Sequence, residues 1–411
     1  MTSLGEVFIL KVLVLNCGSS TVKYKLFNME EERVLASGLA ERIGSPGSRI
    51  IHRPEGREEY ILPKGLPGHH EAVEAILYIM TGPEYGVIKN AGEIEAVGHR
   101  VVHGGNYFSR SVVVNDKVLE LLAECISLAP LHNPPNIIGI QACQKMMPDA
   151  LQVAVFDTAF HQTMPESAFL YAVPYEMYEH HLVRKYGFHG ISHQYVAGVS
   201  AGMLGVRLED LRVITCHLGN GASLCAIRGG KSLDTTMGFT PLAGLIMGTR
   251  CGDIDPAIIQ YMSEKGNMGL SEVMEVLNKK SGVLGISGIS SDFRDVEKAS
   301  QNGHHRSELA LDMFSYSVSK AIASLIPAIG GLDALVFTAG IGENSPDIRR
   351  RICRRLEYMG IRLDEEKNLI RGEKIGISTP GSTVRVLVIP TDEERMIAGE
   401  TWGMCTANPV S

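Results

Sequence analysis

Val12-Leu13-Val14-Leu15-Asn16-Cys17-Gly18-Ser19-Ser20-Thr21-Val22-Lys23-Tyr24-Lys25-Leu26 is the stretch that decides the fold. Four apolar residues in a row are a buried strand, and the polar, glycine-containing run from Asn16 to Ser20 is a turn. Val22, Tyr24 and Leu26 then alternate with Lys23 and Lys25, a second strand with one wet face. The pattern recurs as Val213-Ile214-Thr215-Cys216, His217-Leu218-Gly219-Asn220-Gly221 and Ser223-Leu224-Cys225-Ala226-Ile227, with Gly18 and Gly219 placed 201 residues apart. Two related domains, each opening on a strand–turn–strand that aims polar backbone at a shared cleft, are the expectation.

Working outward, strands and helices alternate. Glu71 to Met80 reads as a helix, Ile94 to Val97 as a strand leading into GHRVVHGG (98–105), and Val153 to Phe156 as a buried strand ending at Asp157. Phe314, Val318, Ile322, Leu325 and Ile329 form a helical stripe within Leu309–Ile329. Leu332 to Thr338 is a strand followed by the glycine turn Ala339–Asn344; Ser345 and Pro346 then cap and open a helix that Gly360 closes. Leu387 to Pro390 is a last strand, and Thr391 caps a helix whose first turn holds Asp392, Glu393 and Glu394. The class is α/β with mixed sheets.

Composition narrows the function. The 411 residues carry 39 Lys+Arg against 46 Asp+Glu, a net charge of −7, and aromatics make up 6%. An acidic surface with few aromatics argues against nucleic-acid and anionic-membrane binding. The N-terminal residues before Lys11 lack a cationic leader and a small-residue cleavage site, so no signal peptide is expected. The apolar run Ala321–Phe337 is interrupted by Pro327, Gly330, Gly331 and Asp333 and is not expected to span a membrane. Eight cysteines without C-x-x-C spacing are expected to be free thiols of a cytoplasmic protein.

The chemistry sits in separate strings. Gly230-Lys231-Ser232 lacks the earlier glycine of a phosphate-binding loop, and GIGENS (340–345) is not GxGxxG, so neither common nucleotide fingerprint is present. What remains is glycine turns at strand ends, able to present N–H groups to phosphate or to be ordinary turns. Arg100 and Arg250 lie beside glycines, where loop guanidinium forks suit carboxylate or phosphoryl oxygens, although a lone arginine is most often a surface ion pair. His189 and His193 are four apart, but Gly190 lies between them and no H-E-x-x-H follows, which weighs against zinc. His69, His70, His180, His181, His304 and His305 read as solvated or capping. Asp157, ending a buried strand, is either a functional carboxylate or a cap for the segment after it. Asp392, Glu393 and Glu394 are either first-turn acids or include one magnesium ligand.

Taken together, NCGSSTVKY (16–24), GHRVVHGG, LAPLHNPPN (128–136), FDTAFH (156–161), YGFHGISH (186–193), HLGNGAS (217–223), MGFTPLAGLIMGTRCGDIDP (237–256), SSDFRD (290–295), FTAGIGENS (337–345) and TDEE (391–394) resemble the acetate kinase family of acyl-phosphate-forming kinases. The match runs from Leu13 to about Ala398, with the motifs in the family's order. The resemblance implies the duplicated α/β fold of sugar kinases, the heat-shock chaperone ATPase and actin, two related domains with a cleft between them. The expected boundaries are 1–157, joined by the C-terminal helix 391–411, and 158–390.

It also implies the reaction ATP + acetate ⇌ ADP + acetyl phosphate, serving acetyl-CoA biosynthesis, with propionate or another short-chain acid as the alternative acceptor. Mg2+ or Mn2+ is the implied metal and a cytoplasmic homodimer the implied state. By the same resemblance Asp157, His189, Arg250, Arg100 and His132 are catalytic, and Asn16 and Glu393 serve the metal. Lys23, Ser19 and Thr21 would face the nucleotide phosphates. His217, Leu218, Gly219, Asn220, Gly221, Asp292, Phe293, Arg294, Gly340, Ile341, Gly342, Glu343 and Asn344 would bind ATP. Arg100 would take the carboxylate, and Val102, Leu131, Phe188 and Pro241 the acyl methyl; propionate-preferring members tend to carry a smaller residue at the position of Val102. Departures are Cys17 and Thr21 in the first turn, Cys251 beside Arg250, and Asp392 before Glu393. None removes a proposed catalytic group; the cysteines raise the question of oxidation.

Overall fold

The computed structural model describes residues 11–407. Expectations for residues 1–10 lie outside them. The chain divides into two compact units, one formed by residues through Ala159 together with those from Asp392 onward, the other by Phe160–Thr391.

In the first unit, eight strands form one sheet: β1 (Lys11–Cys17), β2 (Thr21–Asn28), β3 (Arg33–Glu41), β4 (Arg49–Pro54), β5 (Tyr60–Pro63), β6 (Ala96–Val101), β7 (Val112–Val113) and β8 (Leu151–Phe156). Their order is β5-β4-β3-β2-β1-β6-β8-β7. In the second unit, β9 (Arg212–Leu218), β10 (Ala222–Arg228), β11 (Lys231–Thr235), β12 (Ala334–Thr338), β13 (Ile375–Gly376) and β14 (Arg385–Val388) are ordered β11-β10-β9-β12-β14-β13.

The 201-residue echo is a topological repeat. β1 pairs antiparallel with β2 and parallel with β6, which pairs parallel with β8. β9 repeats this with β10, β12 and β14. The two hairpin turns differ by one residue, since Cys17 faces Val22 whereas Leu218 faces Ala222. Parallel strands buried on both faces explain the unbroken apolar runs: Val12 to Val14 and Ala334 to Phe337 are fully buried.

Close packing accounts for two glycines. A Cβ on Gly98 of β6 would collide with Thr401 and Ile397 of the C-terminal helix Glu393–Ala407. A Cβ on Gly139 would collide with the sulfur of Cys17, so the helix Asn133–Met146 lies directly against the end of β1. Cys17 is buried there, and burial pushes its thiol up to about 12, which removes it as a reactive group. Burial likewise raises the pKa of Cys251, and all eight cysteines are free.

The helical stripe belongs to His305–Ile329, whose Phe314, Val318 and Ile322 are fully buried. It is the one helix among the described residues long and apolar enough to cross a membrane by length and composition, and 44% of its most apolar window is buried inside the protein.

Local chemistry corrects four expectations. Arg100 lies within β6, not on a loop after it. Ala339–Asn344 is a short helix rather than a glycine turn, entered through Ala339 with a left-handed backbone (φ 63°). The helix capped by Ser345 ends at Arg354, and Gly360 closes a separate 3-10 turn, Glu357–Met359. The cap of the last helix is Asp392, whose Oδ1 accepts from the Arg395 N–H at 3.1 Å. Thr391 instead pairs its hydroxyl with Ser192 at 2.8 Å and donates its N–H to Glu343 at 3.1 Å.

Candidate active site

In the first unit the C-terminal ends of β1, β6 and β8 bring Asn16, Arg100 and Asp157 together, the place where open parallel sheets present functional groups. Arg100 grips Asp157 with two parallel bonds, Nε to Oδ1 at 3.1 Å and Nη2 to Oδ2 at 2.6 Å. Its Nη1 reaches Asn16 Oδ1 at 3.4 Å, and Glu393 Oε2 lies 4.0 Å from Nε. Asp157 is 2% exposed, so it is a buried partner of Arg100 rather than a helix cap. Burial alone would lower the Arg100 pKa; the carboxylates of Asp157 and Glu393 outweigh it and raise it.

The three acids that open the last helix separate by direction. Lys25 takes Asp392 at 2.9 Å and Glu394 at 3.2 Å, leaving Glu393 turned toward Arg100. Burial raises the Glu393 pKa, only partly opposed by Arg100, and Asp157 raises it further. A carboxyl whose folded pKa is raised contributes stability below its ordinary pKa and loses it as pH rises. Ionised Glu393 is therefore a cost at neutral pH. Glu393→Gln should raise the unfolding temperature of the ligand-free, metal-free protein by about 2–4 °C at pH 7–8, and the gain should vanish near pH 4. Thermal scans at several pH values check this; a lower melting point for the variant at pH 8 would contradict it.

The turn after β1 is held from behind. Asn136 donates to the Cys17 carbonyl at 2.7 Å and accepts from the Val102 N–H at 3.1 Å. Asn133 exchanges two bonds with the backbone of His103, at 3.2 and 2.9 Å. His69, expected to be solvated, bonds the Gly18 carbonyl at 2.6 Å. Thus the two asparagines of NPPN, flanked by prolines that start their helix, tie the first turn to the GHRVVHGG loop. The sequence offered a signal for them, since polar residues inside an otherwise apolar helix need a partner. Lys23 and Ser19 are exposed and Thr21 is half-buried beside them. Lys23 faces Asn16 in register across the hairpin. His132 and Leu131 are exposed at the start of the helix, while Val102 is buried.

In the second unit His189 is held by its own backbone. Gly187 (φ 73°) and His189 (φ 57°) both adopt left-handed conformations before the helix Gly190–Leu204. His161 Nε2 donates to the Phe188 carbonyl at 2.9 Å and pairs Nδ1 with Ser232 at 2.8 Å. The His189 and His193 rings do not converge as a metal pair; their centroids are 6.5 Å apart and both bond one hydroxyl, Ser223 Oγ. His217 stacks on His189 at 4.1 Å. A Cβ on Gly221 would meet Arg250 Nη1 at 3.3 Å and His189 Nε2 at 3.8 Å, so glycine keeps an open face between two donors.

Arg250 differs from Arg100. It is half-buried, its hydrogen bonds go to the Pro241 carbonyl at 3.2 Å and the Met247 sulfur at 3.7 Å, and among the described residues no carboxylate pairs with it. Burial lowers its pKa. A desolvated guanidinium without a counter-charge is a site for an anion.

A cavity of about 690 Å3 gathers Gly219, Asn220, Asp292, Phe293, Arg294, Gly340, Ile341 and Asn344. Ser291, Glu297, Ser345 and Arg371 complete its lining and were not expected. The SSDFRD and FTAGIGENS strings thus meet through space at the HLGNGAS turn. Asp292 caps the helix Phe293–Gln301 and is held below the usual carboxylate range by Arg294, 2.6 Å away. Phe293 is not a stacking platform; it is buried against Phe314 at 4.7 Å. Leu218, Gly342 and Glu343 stand behind the cavity: Leu218 is fully buried, and the carbonyls of Gly342 and Glu343 accept from Arg349 at 2.9 Å each. The left-handed Ala339 at the edge of this cavity is backbone strain of the kind that collects at ligand sites.

The acetokinase family model matches residues 11–399. The chain belongs to the acetokinase family. An acetate kinase of Clostridium botulinum is 57% identical over 392 residues, 95% of this chain and 98% of that protein. One of Carboxydothermus hydrogenoformans is 56% identical over the same coverage. Among solved structures, Porphyromonas gingivalis acetate kinase superposes with a TM-score of 0.93 at 49% identity, covering 96% of this chain and 99% of that one. A propionate kinase of Francisella tularensis gives 0.89 at 44% identity, with the same coverage. As a member of this family the chain is a phosphotransferase that uses ATP as a substrate.

Proposed function

We propose that this chain transfers the γ-phosphoryl group of ATP to acetate, reversibly, giving ADP and acetyl phosphate. The observation that carries the reading is Arg250, a half-buried cation with no carboxylate partner among the described residues, beside His189 and the open face of Gly221. Acetate is ionised at pH 7, so no general base is needed. A carboxylate oxygen attacks the γ-phosphorus in line, and the bond to the ADP oxygen breaks with its electron pair. Catalysis then rests on positioning and charge. In this reading Arg250 and the Nε2–H of His189 take phosphoryl oxygens, with His132 as a further donor. Arg100 takes the substrate carboxylate. Asp157 holds Arg100 in orientation through its two bonds.

In this reading the nucleotide takes the 690 Å3 cavity, and Lys23, Ser19 and Thr21, the first two exposed and Thr21 half-buried, meet phosphate. Asn16, Asp157 and Glu393 are hard oxygen donors, and the buried Asp157 and the half-buried Glu393 face one arginine, which suits a divalent cation such as Mg2+. Bound there, it would neutralise charge on the phosphates. A cytoplasmic location and a homodimer go with this reading by family alone.

Hydroxamate formation with ATP, Mg2+ and acetate, propionate or butyrate tests it. Acetate should be the best acceptor; no acyl hydroxamate from any of the three would sink the assignment. The rival acceptor is propionate, favoured by the Francisella tularensis resemblance. Val102 is buried and its N–H is pinned by Asn136, so its β-branched side chain is a stiff wall. One methylene in such a pocket is worth roughly 1–3 kcal/mol, about 10–200-fold. Val102→Ala should raise kcat/KM for propionate relative to acetate; an unchanged ratio would remove Val102 as the selector.

A further inference from the structure

His189 has a ring whose proton position is set from behind. Ser223 Oγ lies 2.8 Å from His189 Nδ1 and 2.8 Å from His193 Nε2, and His193 Nδ1 lies 2.7 Å from Thr215 Oγ1. Thr215, His193 and Ser223 are fully buried. Thr215 sits on β9, with neighbours β10 and β12 on either side, so its side chain is fixed by the sheet. Burial, then His161 and His217, hold the His193 pKa well below its ordinary value, so its ring is neutral and carries one proton.

The hydrogen-bond inventory gives the direction. The Thr215 hydroxyl bonds only His193 Nδ1 among the described residues. A buried hydroxyl with one partner donates to it, since accepting would strand its hydrogen. His193 must then carry its proton on Nε2 and donate to Ser223. With that lone pair used, Ser223 turns its own hydrogen to His189 Nδ1. A His189 ring carrying one proton then holds it on Nε2, the atom that lies with Arg250 Nη1 over Gly221.

We infer that Thr215, His193 and Ser223 form a one-way hydrogen-bond chain that keeps the His189 proton on Nε2, where it serves as a donor to the phosphoryl group. The inference rests on the reading of His189 given above. Thr215, His193 and Ser223 are positioning residues. The groups facing His189 within its unit are Arg250, the stacked His217 and His193.

Two measurements on the full chain test it. Nitrogen-15 two-bond spectra of the histidine rings at neutral pH, without ligands and assigned with His189→Gln and His193→Gln, should show the Nε2–H form at both His189 and His193. An Nδ1–H form at either overturns the chain. Thr215→Val keeps shape and removes the donor; it should introduce Nδ1–H at His193 and lower kcat by about tenfold, less than the loss of a whole donor, with acetate KM unchanged. Thr215→Ser keeps the hydroxyl and should restore both. A packing role predicts the reverse order, because serine leaves a void and valine does not; Thr215→Ser impaired while Thr215→Val is normal would overturn the inference. The spectra do not depend on turnover: if His189→Ala stays active while both rings show Nε2–H, the chain stands and His189 leaves the chemistry.

Discussion

Arg250→Ala should lower kcat by about 10²–10³-fold, the cost of losing one preorganised donor to the transferring group, with little change in unfolding temperature. The two halves of that expectation have one cause. Arg250 spends its bonds on a carbonyl and a sulfur, and no carboxylate among the described residues offsets its charge. A half-buried, uncompensated cation costs folding free energy and is tolerated where an anion will use it. Its removal strands no buried acid. Arg100 is the contrast, since its loss leaves the Asp157 carboxyl at 2% exposure with its two bonds gone. Arg100→Ala should therefore lose stability as well as activity. Steady-state kinetics and thermal unfolding of both variants separate the roles. Near-wild-type turnover by folded Arg250→Ala would remove it from the site.

Arg349→Met should cost roughly 3–5 kcal/mol, the range for stripping a buried charged group from its partners, and should abolish nucleotide binding at concentrations that saturate the wild type. Arg349 is fully buried on the helix Pro346–Arg354, and burial lowers its pKa to about 10. It has no acid. Its guanidinium instead binds the carbonyls of Gly342, Glu343, Asn368 and Ile370 and the Asn368 side chain. Gly342 and Glu343 belong to the helix Ala339–Asn344, which forms one wall of the 690 Å3 cavity proposed for the nucleotide through Gly340, Ile341 and Asn344. Methionine fills much of the volume but takes the guanidinium donor from four carbonyls, two buried and two part-buried. Calorimetric unfolding and ATP titration check both effects. A variant that melts with the wild type and binds ATP equally well would show that water replaces the guanidinium.

Other parts of the site were legible in the sequence because they are local. A strand–turn–strand is written in consecutive residues, so the NCGSS and HLGNGAS hairpins and their repeat could be read directly, and the cavity residues Asp292, Phe293, Arg294, Gly340 and Ile341 came with recognisable strings. The misreadings were also local, but at the scale of one or two residues. Asp392 and Thr391 are both competent caps, and which one serves depends on Ser192 and Glu343 drawing Thr391 away. Gly360 can close a helix, yet here it closes a 3-10 turn.

What the sequence alone determined was the α/β class, the internal duplication and the family, each carried by patterns short enough to survive as text. What only the tertiary structure decided was pairing. Arg349, Arg350 and Arg351 are identical letters in a row; the helix turns the first into the core while Arg350 meets Glu365 at 2.8 Å and Arg351 meets Glu308 at 2.7 Å. Asp392, Glu393 and Glu394 are three acids in a row; Lys25 takes the outer two and leaves the middle one to Arg100. Arg100 finds Asp157 57 residues away, and Arg250 finds no acid among the described residues. The reason is physical: backbone preference is set by neighbours along the chain, whereas the protonation, charge balance and hydrogen-bond direction of a buried group are set by whatever the fold places within a few ångströms of it.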